Sequence, residues 1–388
     1  MTSIAILGAG PSGTSLALSL ISLGVEPADI TLLDKARFPR PKLCGGAITF
    51  NGTQALQRLL PGRPAGGLIT PHLHFKSELG EFPLREPGAQ WLYDRAALDE
   101  ALLQRCRALG VRVREEAKVT SLSLSHDSWQ VKTSGWSERF SWVVGADGAN
   151  GISRRAVGLP TGTLGRLLEG VFEGSDPCPG VLQFDFSPLY QNIPGYAWVF
   201  PHPNDPKLYK VGIMDGRGVV PGSALKRWLL DFAHKKQLRP LQTNVSGWPE
   251  HYFAPLRLAH KRRFLLTGEA LGIDPLLGEG IGPSIAISAY AAKRLKQALD
   301  KRRDDCFGYE AGLVATEVGQ SLCAQTLLAS WLYGPKPRRW LRVLFDGPVR
   351  TLAGSGLVSY GKFNRTMPLL GGCLGLGLLK YRGLPKDQ

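Results

Sequence analysis

The sequence predicts an α/β fold: a nucleotide-binding βαβ domain, an inserted antiparallel sheet and a helical C-terminal region. Three observations support this prediction. An apolar strand, a glycine-rich turn and a helical segment stand at the start of the chain. Short strand-like segments separated by Gly and Pro occupy residues 70–90 and 161–255. After Lys293 the 388-residue chain becomes helical and basic.

The first elements form a βαβ unit. A strand is predicted at residues 3–7, a helix at residues 15–24 that ends at a glycine, and a second strand at residues 30–33. Another helix begins near Asp94, where apolar residues recur at helical spacing, and a strand follows at residues 111–113. The nucleotide-binding domain therefore continues past its first unit.

These elements predict a discontinuous domain arrangement. The nucleotide-binding domain comprises residues 1–70, 91–160 and 256–300, and the substrate domain comprises residues 71–90 and 161–255. Residues 301–388 form the predicted C-terminal helical region, which ends in a Gly-rich apolar tail.

The composition favours an anionic partner. Lys and Arg outnumber Asp and Glu by 47 to 32, a formal net charge of +15. Such a surplus suits membrane headgroups, phosphorylated substrates or nucleic acid. The sequence lacks zinc-finger spacing, an RNA-binding aromatic signature and a compact basic arm, so we expect no nucleic acid. The six cysteines show no paired spacing and no secretory signal is evident, which predicts a reduced cytoplasmic setting.

No segment is long enough to span a membrane. A spanning helix needs ~18–20 apolar residues, and the nearest run, at residues 368–379, is shorter. Peripheral contact with the inner face of a membrane, through the basic surface and the apolar tail, is the remaining hypothesis. No metal site is predicted, because His72 and His74 lack a nearby third ligand.

The glycine-rich turn is a dinucleotide fingerprint of the Rossmann type. Its glycines follow a strand and open a helix, so the backbone can approach a pyrophosphate at the helix N-terminus. An acidic residue ends the second strand, where it can accept hydrogen bonds from the adenosine ribose. The candidate contacts of this segment are Gly8, Gly10, Pro11, Ser12, Gly13, Asp34 and Lys35.

Two further segments distinguish FAD from NAD. One is Trp-Val-Val-Gly-Ala-Asp-Gly at residues 142–148, followed by Ser153-Arg154. The other is Phe-Leu-Leu-Thr-Gly-Glu-Ala at residues 264–270, followed by Pro-Leu-Leu-Gly-Glu-Gly-Ile at residues 275–281. With the fingerprint, they resemble the glutathione-reductase-like flavoprotein hydroxylase superfamily, whose members carry GxGxxG, an internal DG motif and a late GD motif. The resemblance implies FAD.

The same resemblance implies roles for individual residues. The DG segment approaches the pyrophosphate, and the late segment presents an acid to the ribityl chain and backbone N–H groups to the flavin pyrimidine. Here the late motif reads Gly-Glu where the family has Gly-Asp, so the acid is one methylene longer. The implied cofactor contacts are Asp147, Gly148, Gly268, Glu269, Gly278, Gly280 and Ile281, together with Arg95, from an Arg-x-x-Leu-Asp pattern, and Val119.

Two segments narrow the resemblance to the geranylgeranyl reductase family. Pro-Arg-Pro-Lys-Leu-Cys-Gly-Gly at residues 39–46 is similar to a family stretch in which Arg40 and Lys42 approach the cofactor phosphates and Cys44-Gly45 runs along the flavin ring. Residues 194–201 are similar to its Tyr-x-Trp-x-Phe-Pro motif. The aromatic residues of that motif alternate on one strand face, which suits an isoprenoid chain. The predicted substrate-binding residues are Tyr196, Trp198 and Phe200.

The resemblance implies an oxidoreductase that reduces C=C bonds of an isoprenoid or other long apolar substrate by hydride transfer from reduced flavin N5. Cys44 is the candidate catalytic proton donor. The electron donor stays open between NAD(P)H and a ferredoxin-type protein, because no separate NAD(P)H-binding domain is visible.

Two other functions remain open. The first is an FAD-dependent monooxygenase or halogenase that acts on an aromatic or polyketide substrate through C4a-hydroperoxyflavin. Cys-Gly-Gly favours the reductase over it, and the sequence shows neither a Trp-x-Trp-x-Ile-Pro segment nor an assignable catalytic lysine. The second is a non-catalytic FAD-binding protein, which the closely approaching glycines disfavour.

Overall fold

The computed structural model describes residues 2–62, 67–159, 162, 164–175, 180–241 and 245–345. The predicted Gly-rich apolar tail lies outside these residues, whereas the predicted C-terminal helical region is helical as far as residue 345. None of the described helices has the length and apolar character needed to cross a bilayer.

The described strands fall into three sheets. In chain order they are β1 (Ile4–Leu7), β2 (Ile30–Leu33), β3 (Ala47–Ile48), β4 (Gly67–Ser77), β5 (Gly80–Tyr93), β6 (Arg112–Arg114), β7 (Val119–Ser125), β8 (Ser128–Thr133), β9 (Ser137–Phe140), β10 (Trp142–Gly145), β11 (Leu164–Glu173), β12 (Val181–Asp185), β13 (Ala197–His202), β14 (Asp205–Asp215), β15 (Arg239–Pro240), β16 (Ser246–His251), β17 (His260–Lys261) and β18 (Phe264–Leu266).

Helices cover both larger sheets. In chain order the described helices are α1 (Pro11–Ser22), α2 (Phe50–Leu59), α3 (Arg95–Ala108), α4 (Ser153–Ala156), α5 (Gly222–Lys235), α6 (Ile281–Asp300), α7 (Tyr309–Val314), α8 (Glu317–Leu332) and α9 (Pro337–Phe345), with 3₁₀ turns at Pro27–Asp29, Ser187–Gln191 and Gly268–Ala270.

The first sheet has the order β6-β2-β1-β10-β18-β17 and is parallel except for the edge strand β17. Every residue of β1, β2 and β10 is buried, as a parallel sheet covered on both faces requires. The strand predicted at 30–33 is confirmed. The first helix begins at Pro11, earlier than predicted, because proline suits the first helical position, where no backbone N–H is needed.

The second sheet has the order β15-β11-β14-β13-β12-β4-β5-β3, and β16 also pairs with β11. The sequence predicts an antiparallel sheet, and the structure corrects this in one place: β12 runs parallel to β4. These strands are far apart in the chain, so a long connection replaces the tight hairpin that would force them antiparallel. A third, antiparallel sheet, β7-β8-β9, lies between β6 and β10 in the chain.

The two faces of the second sheet bury different side chains. On one face an apolar cluster that includes Val211, Leu225 and Leu229 joins α5 to β11 and β14. On the other, a cluster rich in aromatic side chains, among them Phe75, Phe184 and Tyr196, extends to α8 and α9. The aromatic face is the one turned toward the candidate site.

Candidate functional site

A cavity of about 800 Å³ lies between the carboxyl ends of the parallel strands and the aromatic face of the second sheet. Gly8, Asp34 and Ala146 line it just beyond the ends of β1, β2 and β10, where open α/β sheets bind their ligands. Leu167 and Tyr196 line it from the second sheet. The site is therefore built jointly by both sheets.

The turn after β1 needs its glycines for packing. Gly8 has a φ of +102°, and a Cβ there would collide with the backbone of Ala146. A Cβ on Gly13 would collide with the carbonyl oxygen of Gly8. Strand β1, helix α1 and the turn after β10 consequently approach more closely than side chains would permit.

Two helices begin at the cavity. The cap residues Gly10 of α1 and Gly280 of α6 make no side-chain capping hydrogen bond, and neither first turn contains an acidic residue. Pro11, Ser12 and Ile281, in the first turns, also line the cavity. Uncapped N–H groups and the positive end of the helix dipole favour phosphate and carbonyl oxygens.

Asp34 is oriented at the end of β2 by two backbone groups. Its Oδ2 accepts a hydrogen bond from the N–H of Ala9 at 2.8 Å, and its Oδ1 accepts one from Ala36 at 2.9 Å. An ionised carboxylate offers about four acceptor positions, so two remain for ribose hydroxyls. The predicted ribose contact therefore has the acceptor capacity that this role requires.

Two arginines are held at the cavity by one buried carboxylate. Arg95 makes a bidentate ion pair with the fully buried Asp99, at 2.9 Å for each nitrogen, and Arg40 reaches the same carboxylate at 3.3 Å. Burial lowers the pKa of the Arg95 guanidinium, but the neighbouring Asp99 carboxylate and Cys44 outweigh it and the net pKa is raised. Both guanidinium groups line the cavity.

The DG segment has a largely structural arrangement. Asp147 lines the cavity, but its carboxylate accepts hydrogen bonds from the N–H, at 2.9 Å, and the hydroxyl of Ser153. Burial raises the pKa of this carboxyl against those hydrogen bonds. Arg154 donates to the carbonyl oxygens of Ala270 and Leu271. This motif ties the turn after β10 to the turn after β18.

Glu269 and Lys42 bring opposite charges to the cavity. Burial raises the pKa of the Glu269 carboxyl, and the charge of Lys42 partly offsets this. Burial likewise lowers the pKa of Lys42, whose ammonium lies over the Trp248 ring, 3.5 Å from its centroid. Lys42 lines the cavity, in the segment where the resemblance implies a lysine near the cofactor phosphates.

The Cys44 segment is clamped from the second sheet. The N–H of Cys44 donates to Glu169 Oε1 at 3.2 Å, and Lys210 Nζ donates to the Cys44 carbonyl oxygen at 3.0 Å. Glu169 and Lys210 are only 4% and 5% exposed. Burial raises the pKa of the Glu169 carboxyl, and the Lys210 charge opposes this shift. The backbone at Cys44 is thus fixed on both sides by two buried polar side chains.

The three predicted substrate-binding aromatic residues form a wall of the cavity. Tyr196, Trp198 and Phe200 are buried and line the cavity, with ring centroids 5.8 and 6.4 Å apart along the series. The Trp198 indole donates to Glu169 Oε2 at 3.2 Å. A Cβ on Gly45 would lie 2.9 Å from the Phe200 ring. The Cys44-Gly45 segment therefore lies directly against the wall.

Further buried acids stand at the far side of the cavity. Burial raises the pKa of Asp274 to about 6, although the N–H groups of Leu276 and Leu277 donate to it. Burial also raises the pKa of Glu250 well above its ordinary value, and nearby Glu269 raises it further. Glu250 is 9% exposed and lines the cavity.

Most predicted cofactor contacts line this cavity. They are Gly8, Gly10, Pro11, Ser12, Asp34, Lys35, Arg40, Cys44, Gly45, Arg95, Asp147, Gly148, Glu269, Gly278, Gly280 and Ile281. Three other predicted contacts are not among the lining residues. Gly13 packs against Gly8, Gly268 packs against Ser12, and Val119 begins β7.

The sequence does not predict several residues in or behind the cavity wall. Asp99, behind the wall, had a usable signal, because it ends the Arg-x-x-Leu-Asp pattern one helical turn after Arg95. Glu169, Trp248 and Glu250 gave none, because each stands in a strand whose burial depends on distant pairing partners. Lys210 likewise acts from behind the cavity wall.

The residues present fit FAD. The cavity offers an acceptor for the ribose, an uncapped helix N-terminus with arginines for the pyrophosphate, and a second helix N-terminus beyond Gly278. A Cβ at Gly8 would fill the space between the turn after β1 and the backbone of Ala146. These features agree in chain order with the segments from which the sequence predicts FAD.

Sequence comparison finds relatives with several activities. No protein-family model matches the chain. It is 26% identical over 296 residues to dialkyldecalin synthase of Streptomyces rugosporus, covering 73% of this chain and 62% of that protein. It is 25% identical over 358 residues to menaquinone reductase of Mycobacterium tuberculosis, covering 86% and 84%. The chain thus spans under two thirds of the synthase but most of the reductase.

Structural comparison confirms the predicted fold class. A geranylgeranyl bacteriochlorophyll reductase-like protein from Thermoplasma acidophilum matches with a TM-score of 0.77 at 16% identity, covering 97% of this chain and 98% of that one. The halogenase PltM in complex with phloroglucinol and FAD matches with a TM-score of 0.69 at 16% identity, covering 99% and 93%. These matches confirm the fold, and the PltM structure contains the predicted cofactor, FAD.

Proposed function

We propose that this protein is an FAD-dependent oxidoreductase that reduces a C=C bond of an isoprenoid or another long apolar substrate. One observation carries the proposal: a single cavity joins the glycine segments to the aromatic wall, and the Cys44-Gly45 segment lies between them. The likeness to a geranylgeranyl bacteriochlorophyll reductase-like protein and to menaquinone reductase supports the same reaction class.

Different residues of the cavity would bind different parts of FAD. Asp34 would accept the ribose hydroxyls, and the start of α1, with Arg40, would hold the pyrophosphate. The N–H groups at Gly280 and Ile281 would face the flavin pyrimidine. Bound FAD, once reduced, supplies a hydride, which is chemistry that no side chain of this protein can provide.

The remaining residues act on the substrate. Tyr196, Trp198 and Phe200 form an apolar surface along which a hydrocarbon chain can lie while water is excluded. Cys44 carries an S–H group at the boundary between this wall and the cofactor segments, where it can donate a proton to a carbon atom. Arg95 lines the same cavity and brings a positive charge to this segment.

We also propose that the protein works in the cytoplasm, in peripheral contact with a membrane that supplies its apolar substrate. Helix α9 supports this proposal: Leu341 and Val343 are buried, whereas Arg338 is exposed and Arg342 half-buried. A basic amphipathic helix suits an anionic lipid surface. We propose that NAD(P)H or a ferredoxin-type protein supplies the electrons.

A monooxygenase or halogenase is the second candidate. The structural match to PltM favours it. The sequence analysis disfavours this candidate because it finds no assignable catalytic lysine. Lys42, which lines the cavity, weakens that argument. An aromatic substrate would fit the aromatic wall as well as an isoprenoid would.

Anaerobic photoreduction of the FAD-loaded protein, followed by a screen of olefins and aromatics, tests the proposal. We expect isoprenoid olefins to reoxidise the flavin without oxygen and to yield a saturated product. Reoxidation that requires oxygen and yields a hydroxylated or halogenated aromatic would establish the second candidate. Failure to retain FAD, or to react with any compound, would reject both.

A further inference from the structure

A row of aromatic rings continues from the aromatic wall across the second sheet. Phe184 on β12 pairs directly with Trp198 of the wall and, on its other side, with Phe75 on β4. Phe75 in turn pairs with Phe82 on β5. Directly paired residues of neighbouring strands stand side by side on one face of a sheet. The four side chains therefore form one row, in which the ring centroids of Phe184, Phe75 and Phe82 are 5.1 Å apart at each step.

The cavity follows this row and ends within it. Trp198, Phe184 and Phe75 line the cavity, whereas Phe82, the next ring, is not among the lining residues. Phe82 is stacked on Phe75 and meets Phe345 of α9 edge-on, with centroids 5.2 Å apart. Packed rings therefore stand behind Phe75. We call the part of the cavity along Trp198, Phe184 and Phe75 the apolar branch.

The apolar branch begins where the proposed function places the reaction. A Cβ on Gly45 would lie 2.9 Å from the Phe200 ring, and the Phe200 ring meets the Phe184 ring edge-on with centroids 5.2 Å apart. The Cys44-Gly45 segment consequently stands at one end of the apolar branch, and Phe75 stands at the other.

The length of the apolar branch can be compared with that of an isoprenoid chain. Two strand steps separate β13 from β4, about 10 Å at the usual strand spacing. Three bonds of an extended chain span about 3.5 Å, so the four bonds of one isoprene unit span about 5 Å. The branch therefore holds about two isoprene units beyond the bond that reacts. A longer chain has to displace Phe75, which is 2% exposed and packed between two rings.

We propose that the apolar branch limits the chain length of the substrate and that Phe75 sets the limit. This inference rests on the proposed function and narrows its substrate class to short isoprenoids, with about two isoprene units beyond the reacting bond. The selection needs no polar group. A chain that ends at Phe75 fills the branch, whereas a longer chain overpacks a core that is already dense.

Binding to the oxidised, FAD-loaded protein tests the inference by calorimetry, with prenyl alcohols of two, three, four and five isoprene units as probes. We expect the affinity to rise from the two-unit to the three-unit alcohol, because more apolar surface is buried. The four-unit alcohol should bind about tenfold more weakly than the three-unit alcohol, because overpacking outweighs that gain. An affinity that rises with every added unit would overturn the proposal, and this measurement requires no variant.

Variants assign the limit to Phe75. Loss of the ring in F75A opens the apolar branch by about 5 Å, one strand spacing, so the four-unit alcohol should become the tightest ligand. F75L, which keeps an apolar side chain in the core, should reduce the tenfold discrimination against four units to about threefold. F75L also carries the test if F75A does not fold.

The matched control is F172A. Phe172 is a fully buried ring in the cluster on the opposite face of the same sheet, and it does not line the cavity. F172A should lower the melting temperature as F75A does, because both remove a buried ring, and it should leave the three-unit alcohol as the tightest ligand. If F75A and F75L also keep the preference of the parent protein, Phe75 does not set the limit and the proposal is wrong.

Turnover separates this inference from the proposed function. If the three-unit alcohol binds most tightly but is not reduced by the photoreduced protein, the proposed function fails and the length limit stands. If olefins of all four lengths are bound and reduced equally well, the proposed function stands and the length limit is wrong.

Discussion

At the residue scale, Cys44 is the side chain on which the proposed chemistry depends most. Its Sγ accepts a hydrogen bond from the N–H of Gly46 at 3.4 Å, and a Cβ on its neighbour Gly45 would lie 2.9 Å from the Phe200 ring. The thiol therefore lies at the boundary between the cofactor segments and the aromatic wall. The other described cysteines, Cys106, Cys306 and Cys323, do not line the cavity.

We predict that C44A slows olefin-dependent reoxidation of the reduced flavin by about 100-fold, the usual contribution of a positioned proton donor. C44S should lie between C44A and the parent protein, because a hydroxyl is a weaker acid than a thiol. Stopped-flow absorbance of the flavin measures the rate. The affinity for FAD should change little, and C323S, which alters a cysteine of α8, serves as control. An unchanged rate in C44A would assign the proton to water.

At the element scale, β11 and β14 control where the Cys44 segment lies. Glu169 from β11 and Lys210 from β14 hold the N–H and the C=O of the same residue. Trp198 on β13 donates to the second oxygen of Glu169, so the clamp also connects to the aromatic wall. Three neighbouring strands of the substrate sheet thus fix one backbone segment of the cofactor side.

We predict that E169Q and K210M each lower the free energy of unfolding by about 2 kcal/mol, because each leaves a buried group without its hydrogen-bond partner. The double variant should lose less than the sum of the two losses, as coupled residues do. Urea unfolding measures these values. In olefin reduction, the single variants should lower kcat more than they raise KM, since they misplace Cys44. The control is E173Q, which alters an exposed residue at the end of β11. If the loss of unfolding free energy in the double variant equals the sum of the two single losses, Glu169 and Lys210 do not hold Cys44 jointly.

At the scale of the whole molecule, the parallel half of the fold was predictable from the sequence. The turn after β1 and the acid after β2 stand next to strongly apolar strands, so their positions follow from local patterns. Gly8 and Asp34 consequently lie where the sequence predicts. The sequence predicts too late a start for the first helix, because Pro11 and Gly13 resemble the end of a turn rather than the beginning of a helix.

The antiparallel half was less predictable because burial there depends on strand order. Glu169 and Glu250 stand on neighbouring strands, β11 and β16, yet 80 residues separate them in the chain and neither has a local sign of burial. An acid in a short strand usually indicates a solvent-facing position. Only the pairing of β16 with β11 places both acids against the cavity.

Acid stability of the whole molecule depends in part on a histidine in the same strand. His251 is 4% exposed, and its Nε2 accepts a hydrogen bond from the N–H of Gly162 at 3.0 Å. Burial, together with the charges of Arg154 and Arg257, lowers the pKa of His251 to about 4. The folded protein therefore holds this imidazole neutral at pH values where the unfolded chain protonates it.

A histidine whose folded pKa is depressed contributes stability that is complete above its unfolded pKa and is lost as pH falls through the folded value. As pH falls from the ordinary pKa of 6.5 to the folded value of about 4, His251 should lower the free energy of unfolding by about 3 kcal/mol. About 2 kcal/mol of this loss should be reached by pH 5. We predict that H251Q, which keeps an acceptor for Gly162 but cannot protonate, removes this loss. Urea unfolding of both proteins at pH 8 and pH 5 measures the difference, with H126Q in an exposed turn as control. If the parent and H251Q lose the same free energy of unfolding between pH 8 and pH 5, the acid sensitivity arises elsewhere. If the parent loses about 2 kcal/mol more than H251Q, the sensitivity belongs to the contact between β16 and Gly162.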